Sequence, residues 1–300
     1  MAQWRPFSQA ALPMKIDLHS HTYCSDGVLS PTELVERAVS KGVDVLAITD
    51  HDTIAGLAEA RAAIAEKQLP LTLIPGVEIS TSWYEFEIHI VGLNINTDCP
   101  VFLQHLAAQQ QRRVERAEEM ARRLEKNKIP DVLENVLKIA NGAALTRTHF
   151  ARYLVQIGKA SSMNTVFKKY LSRGNTGYVP NNWVPLQEAV QWILAAGGTP
   201  VLAHPLKYKL NGRWLTRLAE EFSAAGGKAM EVASAQMTPV QKRQVWMLCQ
   251  KFGLTASAGS DFHQETPWNE LGRQLYFTDD VTPVWHDWPL PQPESAQLSS

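Results

Sequence analysis

Short apolar runs separated by helical patterns recur along this chain, and no other feature narrows its fold as much. The strand-like runs are Lys15–His19, Val43–Thr49, Leu71–Ile79, Phe86–Leu93, Thr199–Ala203, Lys228–Val232 and Leu254–Ala258. Ser30-Pro31-Thr32-Glu33 predicts a helix start, with Ser as N-cap, Pro at the first helical position and Glu at the third. That helix should run to Gly42, where glycine can take the left-handed conformation of a C-terminal cap. A second helix is expected over about Thr53–Lys67, with Ile54, Leu57, Ala58 and Ile64 as its apolar positions. Parallel strands need a long crossover, and a helix supplies it. The alternation therefore predicts parallel pairing in an α/β barrel or a doubly wound sheet.

The alternation stops between residues 101 and 182. Gln104–Lys126 reads as one long charged helix, Asp131–Ala140 and Thr148–Ile157 as two more, and Asn175–Pro185 as loop. Residues 101–180 hold 14 Lys and Arg against 6 Asp and Glu, in a chain whose totals are 29 and 30. The remainder is therefore acidic. A basic segment beside an acidic one suggests an anionic partner for the basic part, although a solvated Arg-rich helix would give the same count. The expected organisation is an α/β scaffold over residues 14–100 and 183–280, interrupted by a basic helical insertion over 101–182. Residues 1–13 read as an irregular extension and 281–300 as an irregular, proline-bearing tail.

Composition closes off other classes. With 45% hydrophobic and 20% charged residues the chain is not a disordered one. No run approaches the roughly 18 apolar residues that a membrane helix needs. The N-terminus lacks the apolar stretch of a secretory signal. Cys24, Cys99 and Cys249 are too widely spaced for a disulfide framework or a zinc finger. The expectation is a cytoplasmic protein with no membrane association and no obligate protein partner.

Chemistry gathers at the ends of the strand-like runs. Asp17-Leu18-His19-Ser20-His21 places two histidines at i and i+2, on one side of an extended strand. Ser25-Asp26-Gly27 is a turn able to aim Asp26 back at that strand end. Thr49-Asp50-His51-Asp52 follows a buried-type strand, at the edge where α/β folds build their sites. Glu78, His89 and His204 each interrupt an apolar run, where an unpaired polar group would be costly. Ser260-Asp261-Phe262-His263 repeats the i, i+2 spacing. Each has an ordinary structural explanation. Together His19, His21, Asp26, His51, Glu78, His89, His204, Asp261 and His263 leave three of the chain's nine histidines elsewhere. Nine nitrogen and oxygen donors are too many for one divalent ion and suit two or three, and the absence of thiolate suits Mn²⁺, Fe²⁺ or Zn²⁺. Asp17, Asp50 and Asp52 are expected behind these donors, orienting imidazoles or serving as helix N-terminal acids.

These motifs, in this order, resemble those of the PHP (polymerase and histidinol phosphatase) family over Lys15–Thr278. The insertion, with Leu145-Thr146-Arg147-Thr148-His149-Phe150-Ala151-Arg152 and the Tyr170–Pro180 stretch, is similar to a branch of bacterial 3′,5′-nucleoside bisphosphate phosphatases and 5′→3′ exoribonucleases. The resemblance implies a distorted (β/α)7 barrel with three divalent ions, Mn²⁺ foremost, at the C-terminal strand ends. It implies that His19, His21, Glu78 and Asp261 hold one ion. Glu78 would bridge to a second, held also by His89 and His204, and Asp26, His51 and His263 would hold the third. The implied substrates are a nucleoside bisphosphate, pAp going to AMP, and short single-stranded RNA.

Clustered ions can lower the pKa of a bridging water to give hydroxide, and can neutralise charge growing on phosphoryl oxygens. Coordinated histidines cannot also act as free acids, so the general acid is left open. Arg147 is a candidate phosphate clamp, with His149 and Arg152 as further donors and Lys207 as a weaker contact. A histidinol-phosphate-type phosphatase would not need the basic insertion, and a binding module without catalysis would not need the full donor set.

Overall fold

The computed structural model describes residues 14–235, 237–278 and 280–290. Residues 1–13 and 291–300, parts of the expected extension and tail, lie outside the described residues. The described residues form eight strands: β1 (Ile16–Asp17), β2 (Val45–Ile48), β3 (Thr72–Trp83), β4 (Phe86–Leu93), β5 (Val184–Pro185), β6 (Thr199–Leu202), β7 (Ala229–Ala233) and β8 (Thr255–Ala258). They pair in the order β1, β2, β3, β4, β6, β7, β8, with β5 joined to the upper part of β3. Past the last strand, Leu18 donates to the Ala258 carbonyl and Asp261 to the His19 carbonyl, both at 2.9 Å. The sheet thus nearly closes on itself, in agreement with the seven-stranded barrel that the resemblance implies.

The helices between strands are α1 (Pro31–Ser40), α2 (Gly56–Glu66), α7 (Leu186–Ala195), α8 (Gly212–Ala224) and α9 (Pro239–Phe252). The expected start of α1 is realised as a capping box: Ser30 Oγ accepts from the Glu33 N–H at 3.0 Å, and Glu33 accepts from the Ser30 N–H at 2.7 Å. Gly42, just past α1, has φ +68°. Alternate strand residues such as Val45, Ala47, Ile74, Val91 and Val201 fill the barrel interior. Their neighbours, among them Leu46, Ile48, Ile79 and Ile90, pack outward under the helices.

One expectation fails. β4 is antiparallel to both β3 and β6, whereas the alternation predicts parallel pairing throughout. The reason is local: only Tyr84 and Glu85 separate β3 from β4, Tyr84 takes φ +50°, and so tight a turn can only make a hairpin. Residues 281–290 also do more than trail away. Val284 donates to the Ala256 carbonyl at 2.7 Å, and Trp285, Trp288 and Leu290 pack on the interior cluster.

After β4 come α3 (Pro100–Lys126), α4 (Val132–Ala140), α5 (Arg147–Gln156) and α6 (Met163–Val166), the last running into a wide π-helical turn, Phe167–Leu171. The first part of α3 packs on the barrel through Phe102 and Leu106. Its second part forms a separate core with α4, α5 and α6, including Met120, Leu124, Val136, Phe150 and Leu154. Where the two meet, Gln109, Arg113 and Arg116 are buried rather than solvated. Arg113 donates through Nε to Asp52 at 2.7 Å, through Nη1 to the Leu145 carbonyl at 3.0 Å and through Nη2 to Ser80 Oγ at 2.6 Å. The guanidiniums of Arg113 and Arg116 lie over the Trp183 ring, 4.9 and 5.2 Å from its centre. No helix among the described residues is long and apolar enough to cross a membrane.

Candidate metal centre

The chain beyond β1 stays extended, so His19 and His21 project to the same side with their Nε2 atoms 3.0 Å apart. The end of β8 must pass close by: a Cβ on Gly259 would stand 2.3 Å from the His19 Cβ, so only glycine fits. Asp26 is aimed by a tight turn in which Ser25 and Gly27 both donate to the Thr22 carbonyl, at 3.2 and 2.9 Å. Its Oδ1 lies 3.2 Å from His263 Nε2 and 3.7 Å from His51 Nε2.

Glu78 is the hub. Its carboxylate, fully buried in β3, meets five imidazoles. His89 Nδ1 and His204 Nε2 lie 3.0 Å from Oε1, His51 Nδ1 lies 2.9 Å from Oε2, and His19 and His21 Nε2 atoms lie 3.4 Å away. Asp261 Oδ1 closes the ring, 3.2 Å from His21 Nε2 and 3.4 Å from His19 Nε2. All nine donors read from the sequence therefore converge. Three overlapping groups fall out of the distances: His21, Asp26, His51 and His263; His19, His21 and Glu78; His51, Glu78 and His89.

Electrostatics shows what such a cluster lacks. Burial pushes the His21 imidazole down to about 3, with the neighbouring His263 adding to the effect, whereas the surrounding carboxylates outweigh burial at His89 and His263 and raise them to about 10 and about 9. Burial raises the pKa of Glu78, but the imidazoles of His89, His51 and His19 more than offset it and hold the carboxyl well below its usual range. Buried His21 Nδ1 and His204 Nδ1 have no hydrogen-bond partner, and Asp26 Oδ1, His51 Nδ1 and Glu78 Oε2 meet only other members of the cluster, at angles that form no hydrogen bond. Orphaned atoms of this kind on convergent, largely buried imidazoles and carboxylates fit divalent cations. The residues present can hold metal.

The three acids expected behind the donors do a different job. Asp17 accepts from the backbone N–H groups of Ser260 and Gly272, each at 2.9 Å. Asp50 accepts from the Thr22 N–H and from the Thr22 and Ser25 hydroxyls at 2.8, 2.6 and 2.6 Å, and burial raises its pKa to about 6. Asp52 binds the Ser80 N–H at 2.9 Å besides Arg113. They brace backbone and none of them orients an imidazole. The residue that does so is Glu231, which the sequence reading passed over. Its Oε1 lies 2.5 Å from His19 Nδ1, and its Oε2 accepts the His204 N–H at 2.6 Å. His204 has φ +28°, a strained value that this bond helps to hold. The available signal was a lone carboxylate in the fully buried strand Ala229-Met230-Glu231-Val232-Ala233.

A cleft of about 660 Å³ opens over the cluster, with Arg113, Arg116 and Arg147 on the insertion side. Arg147 starts α5 and places Nη2 3.3 Å from Glu87 Oε1, while Arg116 Nη2 lies 3.6 Å from Glu87 Oε2. Burial lowers the Arg116 pKa to about 10. Lys207 lines the cleft and pairs with Asp261. His149 and Arg152, expected as further substrate donors, do not line it. His149 is buried, its Nδ1 accepts the Thr146 N–H at 3.1 Å as part of the α5 cap, and burial lowers its pKa to about 4. Arg152 donates to the Asp26 carbonyl at 2.6 Å, fastening the Asp26 turn.

Comparison with known proteins gives a consistent result. The model of the PHP domain matches residues 17–179. The chain is 53% identical over 276 residues to the 5′-3′ exoribonuclease Rnm of Escherichia coli, covering 92% of this chain and 94% of that protein. It is 42% identical over 270 residues to a 3′,5′-nucleoside bisphosphate phosphatase of Chromobacterium violaceum, covering 90% and 93%. Among solved structures, a phosphoesterase from Bifidobacterium adolescentis described as metal-dependent superposes with a TM-score of 0.77 at 27% identity, over 92% of this chain and 94% of that one.

Proposed function

The chain belongs to the PHP family, and from that premise we propose that it is a metal-dependent phosphoesterase, which hydrolyses 3′,5′-bisphosphorylated nucleosides and trims short RNA in the 5′→3′ direction. The observation that carries this reading is the pairing of two unlike surfaces in one cleft: a cluster of nine convergent candidate donors, seven of which line the barrel side, and three guanidiniums on the insertion side. A plain monophosphate needs only the first. A substrate with a second phosphate uses both.

His19, His21, Glu78 and Asp261 would hold one ion, Glu78 with His89 and His204 a second, and Asp26, His51 and His263 a third, with Mn²⁺ the first candidate. Bound there, divalent ions supply a nucleophile at neutral pH and neutralise charge on the phosphoryl oxygens. The protein's own groups do the rest. Glu78 joins the parts of the cluster, so the donors act as one unit. Glu231 holds His19 in the tautomer whose Nε2 faces the cluster. Arg147 and Arg116 reach the second phosphate, and Glu87 sets their position beforehand, which lowers the ordering cost on binding. The wall of cations also favours approach of a polyanion.

The test is elemental analysis of the purified protein together with Mn²⁺-dependent assays on pAp and on short 5′-monophosphorylated RNA. The expected result is bound metal, AMP from pAp, and stepwise release of mononucleotides from the RNA 5′ end. Failure to turn over either substrate in metal-replete protein, with rapid hydrolysis of histidinol phosphate, would replace this reading with the small-molecule one.

A further inference from the structure

Two aromatic rings stand in the cleft and take no part in the chemistry above. The remaining lining is carboxylate, imidazole, guanidinium, amide and hydroxyl, with the Lys207 ammonium. Trp268 lies on the barrel side and is 66% exposed. It sits inside a closed turn in which the Asn269 N–H donates to Thr266 Oγ1 at 2.9 Å, and Asn269 Nδ2 donates to the Asp261 carbonyl at 3.3 Å. The backbone that carries the indole is therefore tied to a candidate metal ligand. Phe167 lies on the insertion side, at the first residue of the π-helical turn, with part of its ring packed on the insertion core. Wide turns of this kind recur at functional sites because they re-aim one side chain.

We propose that Trp268 and Phe167 receive the substrate's nucleobase by stacking, one from each wall of the cleft. The proposal rests on the phosphoesterase reading and deepens it by naming what is recognised beyond the phosphates: a base, by its π face. Stacking of this kind does not discriminate between bases, because every base offers such a face. The cleft would then accept any 5′-terminal nucleotide, as stepwise trimming of RNA of mixed sequence requires. A phosphorylated sugar without a base would bind through its phosphates alone.

The test uses metal-loaded protein and ligands that differ only in the base. AMP and ribose 5-phosphate are compared by tryptophan fluorescence and calorimetry. KM is compared for pAp and for ribose 3,5-bisphosphate. Wild-type protein should show fluorescence quenching with AMP and not with ribose 5-phosphate, and Trp268→Phe should lose most of that signal while keeping affinity. Trp268→Ala and Phe167→Ala should each weaken AMP binding and raise KM for pAp about 5-fold or more, with ribose 5-phosphate affinity unchanged. Unchanged AMP affinity in both alanine variants, with pAp still turned over, overturns the stacking proposal and leaves the phosphoesterase reading intact. Absence of turnover of any phosphate ester by metal-loaded wild-type protein overturns both.

Discussion

Replacing Glu231 with Gln removes one negative charge from a site 2% exposed and leaves the shape unchanged. The carboxylate holds two groups at once, His19 Nδ1 at 2.5 Å and the His204 N–H at 2.6 Å. A glutamine has one acceptor oxygen to offer, so one of the two must face an NH₂. If the oxygen stays with the His204 N–H, His19 loses the acceptor that fixes its Nδ1–H tautomer. If it turns to His19, the left-handed backbone of His204 loses its restraint. Either way a charge-assisted hydrogen bond disappears, worth about 1.5–3 kcal/mol. At about 1.4 kcal/mol per tenfold, metal affinity should fall roughly 10- to 150-fold, close to the 10- to 100-fold commonly lost when a ligand's supporting group is removed. The loss should appear in Mn²⁺ titrations followed by calorimetry, and excess Mn²⁺ should restore much of the activity. Melting of the metal-free variant should fall as well, because the same buried hydrogen bond is lost from the fold itself, so the titrations are run well below that transition. Wild-type metal affinity in Glu231→Gln protein, or lost activity that no Mn²⁺ concentration restores, would refute the reasoning.

Other consequences follow from the same geometry. Arg147→Ala should keep metal content and raise KM for pAp and RNA by roughly 10- to 100-fold, from loss of one charge-assisted phosphate contact. Hydrolysis of p-nitrophenyl phosphate should suffer less, and equal loss on both substrates would count against a second-phosphate site. Arg113→Leu should destabilise by about 3–5 kcal/mol, because it leaves the Asp52 carboxylate buried without its partner. Adding Asp52→Asn should recover part of that in urea unfolding, and additive losses would show that the pair is not coupled. Mn²⁺ at one hundred times its Kd should stabilise the protein by about 2.7 kcal/mol, which for a chain of this size is roughly 4 °C in Tm. No rise on scanning calorimetry would mean that the cluster does not load.

The donor cluster was legible because strand geometry does half the work. An i, i+2 pair at the end of an extended run must face one way, and a lone charged residue in an apolar run must find a partner. Glu78 was found by that second rule. Glu231 satisfies the same rule and was missed, since a single acid in a short strand carries no pattern. Arg113 and Arg116 were illegible for a different reason. On a helix as charged as α3, a buried guanidinium and a solvated one have the same sequence neighbourhood, and only the third dimension brings Asp52, Glu87 and Trp183 alongside. Asp17, Asp50 and Asp52 show the converse error. Their position beside histidines suggested imidazole partners, but a short acid at a strand end has unpaired backbone N–H groups nearer to hand. The β3–β4 hairpin hid in a gap of six residues, 80–85, between the Leu71–Ile79 and Phe86–Leu93 runs: the first strand continues to Trp83 and leaves only two residues for the turn, and the rhythm of the other strands masked it.

The reversal of β4 has a mechanical result. The chain leaves that strand at the end of the barrel away from the metal donors, and the cations it will contribute are still to come. α3 carries it back as one rod, 27 residues or about 40 Å long. It is anchored on the barrel by Phe102 and Leu106 and delivers Arg113 and Arg116 about two to three turns later. Such a rod acts as a ruler with a phase. One residue inserted between Leu106 and Gln109 would advance the guanidiniums by 1.5 Å and swing them through about 100°, away from Asp52 and the cleft. The length of this helix is therefore under tighter control than its exposed sequence. Exchange of insertions between barrels of this family should succeed only when whole helical turns are kept in register.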